Sequence, residues 1–391
     1  MSRDFDAIII GAGAAGLMCA MTAGARGRRV LLLDHADAPG KKILISGGGR
    51  CNFTNIEAAA DRFISANPHF ARAALARYTQ HDFLGLVAKH GIAWHEKTLG
   101  QLFCDGSARE ILRMLLDECA AGGVDVRTGH RVSDVSRGDG FRVETDHGGF
   151  TAPALVLASG GLSIPKMGAT GFAHDVAARF GLPIVPPRPG LVPLIFAGED
   201  LALMQPLAGV ALDVRAQAGR ARFDEAALFT HRGMSGPAIL QISSYWQAGG
   251  AITLDLLPDA DAGALLIGRK AARPNAALRT VLAEMLPQRL AQAWAARVAD
   301  EKIGQMTDKA LTAIATQIKA WHLLPSGTEG YAKAEVTLGG IDTAALSQRT
   351  MEAKSVPGLF VIGEAVDVTG WLGGYNFQWA WSSGWCAGQT V

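Results

Sequence analysis

Residues 5–34 read FDAIIIGAGAAGLMCAMTAGARGRRVLLLD, and the fold follows from this stretch. FDAIII (5–10) is a short apolar run of the buried-strand type, and RVLLL (29–33) is a second one, ending in Asp34. Between them Gly11, Gly13 and Gly16 stand in G-x-G-x-x-G spacing, with a helix predicted over 17–25. Gly11 permits a tight turn, Gly13 lets a diphosphate approach the backbone, and Gly16 lets helix and strand pack closely, with the helix N-terminus facing the anion. Asp34 follows 23 residues after Gly11, where a carboxylate accepts ribose hydroxyls and disfavours a 2′-phosphate. FAD or NAD is therefore expected here in preference to NADP.

The uncharged run 7–25 also resembles a secretion signal or a short membrane span. The segment before it, MSRDFD, has one basic and two acidic residues, the wrong balance for a signal, and the glycine spacing has its own explanation. No membrane span is predicted, and a cytoplasmic protein is expected. The length of 391 residues suits two or three domains. Lys and Arg total 37 against 36 Asp and Glu, a net charge of +1, which argues against a protein living mainly by phosphate-backbone electrostatics. Five cysteines without C-x-x-C predict neither a disulfide framework nor a zinc site. His69, His81, His90 and His95 lack metal-ligand spacing, so no metal is expected. The 47 glycines exceed the usual ~7% and follow no G-X-Y period, so they mark turns or close approaches of backbone to a ligand.

Two further glycine clusters separate FAD from NAD. KKILISGGGRCNFTN (41–55) suits a backbone loop laid against a planar or phosphorylated ligand. VPGLFVIGEAVD (356–367) is a strand ending in Gly363-Glu364, followed by GWLGGYNFQ (370–378) and a small-residue helix over 379–388. A strand ending in Gly-acid suits the ribityl chain of a flavin, and a helix N-terminus near Gly374 would polarise its ring.

With these strings, THRGMSGP (230–237) and KAEVTLGGI (333–341), the chain resembles the YhiN/BaiN-type flavoproteins, the NAD(P)/FAD-dependent, aminoacetone-oxidase-like family. The resemblance spans essentially the whole chain. It implies an α/β fold, a glutathione-reductase-like Rossmann FAD domain with an inserted β-barrel-like region and a helical lobe. It also implies FAD contacts at Gly11, Gly13, Ala14, Gly16 and Asp34, then at Lys42, Gly49, Arg50, Cys51 and Asn52. Val132 would lie opposite adenine, and Gly160, Gly363, Glu364, Gly374, Tyr375 and Asn376 complete the set. Glu364 stands where the broader flavoprotein motif has Asp.

Composition places the FAD domain at 1–187 and 330–391, with short strands over 188–260 and a helical lobe over 261–329. Ser107 and Glu110 are spaced as a capping box, and VDVRT, RVSDVS, FRVET and FTAPALVLAS alternate as strands. In THRGMSGP, His231 is a candidate proton-transfer group and Ser235 a candidate helix cap. Tyr375 is the second catalytic candidate, and Tyr375 and Trp371 either stack over the flavin and shape its pocket or are ordinary core residues. Cys51 beside Arg50 could have a lowered thiol pKa, but no partner cysteine is near it in sequence and a backbone role near the flavin is the expected one. No second G-x-G-x-x-G with its acid is present, so NAD(P)H would visit the flavin face only transiently.

The expected function is an FAD-dependent oxidoreductase transferring a hydride between flavin N5 and a small organic substrate, by C=C reduction or amine oxidation. One alternative reduces a uridine in ribosomal RNA to dihydrouridine, with Arg269, Lys270, Arg273, Arg279 and Arg289 tracking phosphates; the competing reading of these five is a solvated helical face. Another is a non-catalytic flavin-binding redox sensor. Neither the substrate nor the oligomeric state is readable from the residues.

Overall fold

The computed structural model describes residues 5–298 and 300–391; the first four residues of MSRDFD lie outside the described residues. The predicted strand–helix–strand unit is present as β1 (Ala7–Ile10), α1 (Ala14–Gly24) and β2 (Val30–Leu33), the helix starting directly after Gly13. The chain continues through α2 (Lys41–Ile45), β3 (Asn52–Asn55), β4 (Phe63–Ile64), α3 (Ala71–Arg77), α4 (Gln80–Lys89), β5 (Trp94–Glu96), β6 (Gln101–Cys104), α5 (Ala108–Ala121) and β7 (Asp125–Arg127). A capping box does form, but at Thr79 and Asp82, which open α4. Ser107 caps α5 through Arg109 N at 3.2 Å, while the Glu110 carboxylate lies against Gly106 instead of closing the reciprocal bond.

β8 (Val132–Arg137), β9 (Phe141–Thr145) and β10 (Gly148–Ala152) form an antiparallel sheet. β11 (Ala154–Leu157), α6 (Phe172–Arg179) and β12 (Ile184–Gly190) lead to the insertion. That insertion contains β13 (Leu194–Ile195), α7 (Gly198–Met204), β14 (Ala211–Ala218), β15 (Ala221–Thr230), β16 (Gly233–Ser235), α8 (Pro237–Ser243), β17 (Ile252–Asp255), α9 (Ala262–Ala272), α10 (Leu278–Leu282), α11 (Gln288–Val298), α12 (Asp308–Lys319), β18 (Trp321–Leu323) and β19 (Gly327–Thr328). β20 (Val336–Ile341), β21 (Leu359–Val361), β22 (Thr369–Gly370) and α13 (Tyr375–Gly388) end the chain.

Two compact units result, Met1–Arg188 with Val336–Val391, and Pro189–Glu335. The first is built on a parallel sheet of order β21-β11-β1-β2-β7. Each residue of β1, β2 and β11 is buried, as a strand covered on both faces requires. The second unit carries a seven-stranded antiparallel sheet of order β18-β17-β14-β15-β16-β13-β19; no pairing among the described residues closes it into a barrel. Its sheet and helices share one unit, where the composition had suggested two. The reason is local: Leu256 N donates to Ile318 O at 3.0 Å, Lys319 pairs with Asp255 at 2.8 Å, and β18, read from sequence as the end of a helical stretch, returns to pair with β17.

Helix α13 is almost wholly buried, and it lies on α1. The close approach depends on glycine. A Cβ on Gly384 would stand 2.5 Å from Ala15 O, and one on Gly388 would stand 2.7 Å from Cys19 O. On the other flank Trp381 stacks on Phe83 with centroids 4.5 Å apart, a contact worth about 0.5–1.5 kcal/mol beyond its area. Gly384→Val should therefore lower stability by about 1–3 kcal/mol through overpacking. Chemical denaturation checks this, and an unchanged midpoint would show that the two helices can separate without cost.

Candidate functional site

The turn after β1 is tight where the protein must meet itself and open where a ligand would lie. Gly11, at φ +113°, is pressed on the Ala158 backbone, and Gly16 on the Gly11 carbonyl. A methyl group on Gly13 would meet nothing within 4 Å. Helix α1 has no side-chain cap and no acid in its first turn, so its N-terminal partial charge is available to an anion. Asp34 accepts from Ala12 N at 2.7 Å and Ala36 N at 2.8 Å, one bond on each carboxylate oxygen. A carboxylate has about four acceptor sites, so two remain for hydroxyls.

The triple glycine following α2 forms a left-handed loop, with Gly48 at φ +66° and Gly49 at φ +86°. Gly48 faces open space, and the nearest atom to a Cβ on Gly49 is Leu44 O at 3.9 Å. Arg50 is exposed, and its carbonyl accepts from Cys104 N at 3.0 Å. The Cys51 thiol is fully buried, and burial pushes its pKa up to about 12, which opposes the activated-thiol alternative raised by its neighbour Arg50. All five cysteines are buried free thiols.

Glu364 is the most heavily bonded predicted residue. Lys42 Nζ stands 2.9 Å from its Oε2, while Ser163 Oγ at 2.8 Å and Thr337 N at 2.9 Å donate to its Oε1. Lys42 also donates to Ser163 Oγ at 2.6 Å. Thr337 Oγ1 accepts from Leu162 N at 2.8 Å and holds the segment after Gly160 and Gly161. Burial alone would raise the Glu364 pKa, but the Lys42 ammonium and these donors outweigh it and hold the carboxyl below its ordinary value. Neither Ser163 nor Thr337 was legible as a site residue; Thr337 lies in the VTLGG string, and Ser163 has no local signal. Val132 starts β8, at a bulge in its pairing with β9.

At the start of α13, Gly374 (φ +94°) is pressed on the Thr54 carbonyl, and Gln378 accepts from Thr54 Oγ1 at 2.6 Å. Asn55 Nδ2 donates to Gly373 O at 2.9 Å. Gly363 N donates to Ser383 Oγ at 3.1 Å. The Asn376 side chain is committed to the loop before it, with Oδ1 accepting from Gly370 N at 2.8 Å and Nδ2 donating to Gly370 O at 2.9 Å. Tyr375 is buried, with its ring edge-on to Phe63 and Trp371.

The predicted residues of the inserted unit fall otherwise. His231 lies exposed in the turn between β15 and β16. Ser235 belongs to β16, and the cap of α8 is Gly236, whose φ of +88° and close contact with the β15 backbone exclude a side chain. The five cations proposed to track RNA phosphates are engaged within the unit. Arg269 and Arg273 pair with Glu284, Lys270 with Asp308 and Arg279 with Asp300, and Arg289 donates to Pro206 O and Ala208 O. These positions read as a solvated, internally neutralised face.

The open glycine cradle, the uncapped start of α1 and the polar network at Glu364 fit a dinucleotide cofactor. Among the described residues no group of three or more His, Cys, Asp or Glu could hold a metal, and no helix is long and apolar enough to cross a membrane. Removing Lys42 would leave the Glu364 charge with only the Ser163 and Thr337 donors, and because the pair is partly open to solvent Lys42→Met should cost about 1–2 kcal/mol near neutral pH. Because the folded-state pKa of Glu364 is depressed, this contribution is present above 4.5 and is lost as pH falls through the folded value. The gap between wild type and variant should narrow in acid; denaturation at several pH values would expose a constant gap, which contradicts the assignment.

A family model described as HI0933-like protein Rossmann domain matches residues 5–390. The chain is 52% identical over 392 residues to the ribosomal RNA dihydrouridine synthase of Escherichia coli, covering 99% of this chain and 98% of that protein. It is 30% identical over 415 residues to the 3-dehydro-bile acid delta(4,6)-reductase of Clostridium scindens, covering 98% of each. A 3-ketosteroid-delta4-(5alpha)-dehydrogenase from Rhodococcus jostii shares the fold, with a TM-score of 0.51 at 15% identity over 99% of this chain and 98% of that one. The chain belongs to the HI0933-like Rossmann family and is an FAD-dependent oxidoreductase.

Proposed function

We propose that this chain reduces a uridine in ribosomal RNA to dihydrouridine, with NAD(P)H as the transient electron donor. The observation that carries this reading is end-to-end likeness, at 52% identity, to a protein named for that reaction. It narrows the broader expectation of C=C reduction and moves it from a small molecule to RNA. Reduction of a conjugated C=C in a small molecule is the second reading, favoured by the bile acid reductase at 30% identity.

FAD, when bound, supplies the hydride chemistry. In this reading the first turn of α1, at Gly13 and Ala14, receives the diphosphate, with Gly11 and Gly16 keeping strand, turn and helix close. Asp34 would accept ribose hydroxyls through its two remaining acceptor sites, and Val132 would lie opposite adenine. Lys42 fixes the Glu364 carboxylate, which with Gly160 and Gly363 would hold the ribityl chain. The loop Gly49–Asn52 and the start of α13 at Gly374 and Tyr375 would hold the ring, and Asn376 sets the shape of its loop. Cys51 acts through its backbone, since its thiol stays protonated. Saturating a uracil C5=C6 bond also needs one proton, and Tyr375 is the side chain of the FAD unit proposed to manage it.

Gly13→Asp tests the cofactor placement. The space at Gly13 is open, so the variant should fold, yet its carboxylate would repel the diphosphate and the protein should purify without FAD. Mass spectrometry of ribosomal RNA tests the function: deleting the gene should remove a dihydrouridine, and the wild-type gene but not Gly13→Asp should restore it. An unchanged dihydrouridine content after deletion would refute the reading.

A further inference from the structure

Arg62 carries a guanidinium whose Nε has no hydrogen-bond partner among the described residues. It lies just before β4, and its backbone carbonyl accepts from Trp371 N at 3.0 Å. The guanidinium carbon stands 4.5 Å from the centroid of the Trp371 ring, a cation–π contact that braces the side chain. The nearest carboxylate oxygen, on Asp61, is 3.9 Å from Nε, beyond hydrogen-bond range. Nε is buried without a partner, and no acceptor among the described residues takes a hydrogen bond from this group. The five cations of the insertion, by contrast, all meet a carboxylate or a carbonyl.

The position matters as much as the unused donors. β4 pairs with β22, Phe63 opposite Gly370, and the Phe63 ring packs edge-on to Tyr375 at 6.2 Å. Trp371 meets the same tyrosine at 6.4 Å. Arg62 is thus held at the rim of the segment that carries Gly374, Tyr375 and Asn376, with its side chain 34% exposed. A stacked guanidinium presents its donors as a planar fork that matches two oxygens of a phosphate.

We infer that Arg62, braced by Trp371, binds a phosphodiester of the RNA substrate next to the uridine that is reduced. The inference rests on the RNA reading above. An enzyme acting on a base must take it out of its stack, and a fixed cation on the flanking phosphate holds the backbone while the base is displaced. Asp61 lies beside this group but is itself largely exposed, so solvent screens its charge.

The test is binding of a short fluorescein-labelled RNA hairpin with a uridine loop to the oxidised holoenzyme, followed by anisotropy over a range of salt concentrations. Arg62→Gln should weaken binding about tenfold, and the slope of log K against log salt should fall by about 0.7, the share of one single-strand phosphate. Arg62→Lys keeps the charge and should keep the slope, while losing affinity with the fork. FAD content and the rate of flavin reduction by NADPH without RNA should match wild type in both. An unchanged slope and affinity in Arg62→Gln, a defect confined to NADPH, or a wild-type holoenzyme with no RNA affinity would each overturn the anchor. RNA that binds with the predicted salt dependence but is never converted to dihydrouridine would sink the uridine-reductase reading and leave the anchor standing.

Discussion

Helix α1 is held by backbone contacts that leave no space for side chains. Gly16 lies on the Gly11 carbonyl, Gly11 on the Ala158 backbone, and Gly384 and Gly388 of α13 on the α1 carbonyls of Ala15 and Cys19. Because interiors are close-packed, a single methyl at any of these points would displace the helix and with it the direction of its N-terminus. The cofactor cradle depends on that placement. Gly13 is open because its neighbours are tight, and the same contact that seats α13 on α1 also sets where the loop from Gly370 to Gly374 must run.

Lys42 and Glu364 make a second tie between distant parts of the chain. The pair, with Ser163 and Thr337, joins four segments of the FAD unit through one half-sealed carboxylate. Burying a charge is costly unless its partners fill the acceptor sites, and here three donors do so. The Glu in place of the Asp of the broader flavoprotein motif is held by this arrangement: Lys42 donates to its Oε2, and Ser163 Oγ and Thr337 N donate to its Oε1.

Much of this was legible in the residues. The register of strand, glycines, helix, strand and acid over 5–34 is a local pattern with one physical solution, and it appears as β1, α1, β2 and Asp34. Signals that depend on partners far along the chain were not legible. Ser163 and Thr337 matter because the fold brings them to Glu364. The spacing of Ser107 and Glu110 permits a capping box, yet the Glu110 carboxylate settles against Gly106, while Thr79 and Asp82 form the box. Arg50 beside Cys51 left an activated thiol open as the lesser alternative, and burial closes it, since burial decides a thiol pKa and sequence adjacency does not report it. Strand β18 is three residues long and follows α12 directly, too short for alternation to show. The basic residues of the insertion are compatible with a phosphate track or, the favoured reading, a solvated face until their partners are seen opposite them: carboxylates for four and backbone carbonyls for Arg289.

Arg62, the proposed phosphate anchor, is in the FAD unit beside the segment that starts α13, so the proposed substrate contact and the proposed cofactor contacts draw on the same loop. The account is tested most directly by a single anaerobic turnover: enzyme whose flavin has been reduced by a limiting amount of NADPH is mixed with unmodified ribosomal RNA. Return of the ~450 nm flavin band in step with dihydrouridine, one for one, is the predicted result. A flavin that stays reduced in the presence of the RNA and is reoxidised by a small enone instead would contradict it.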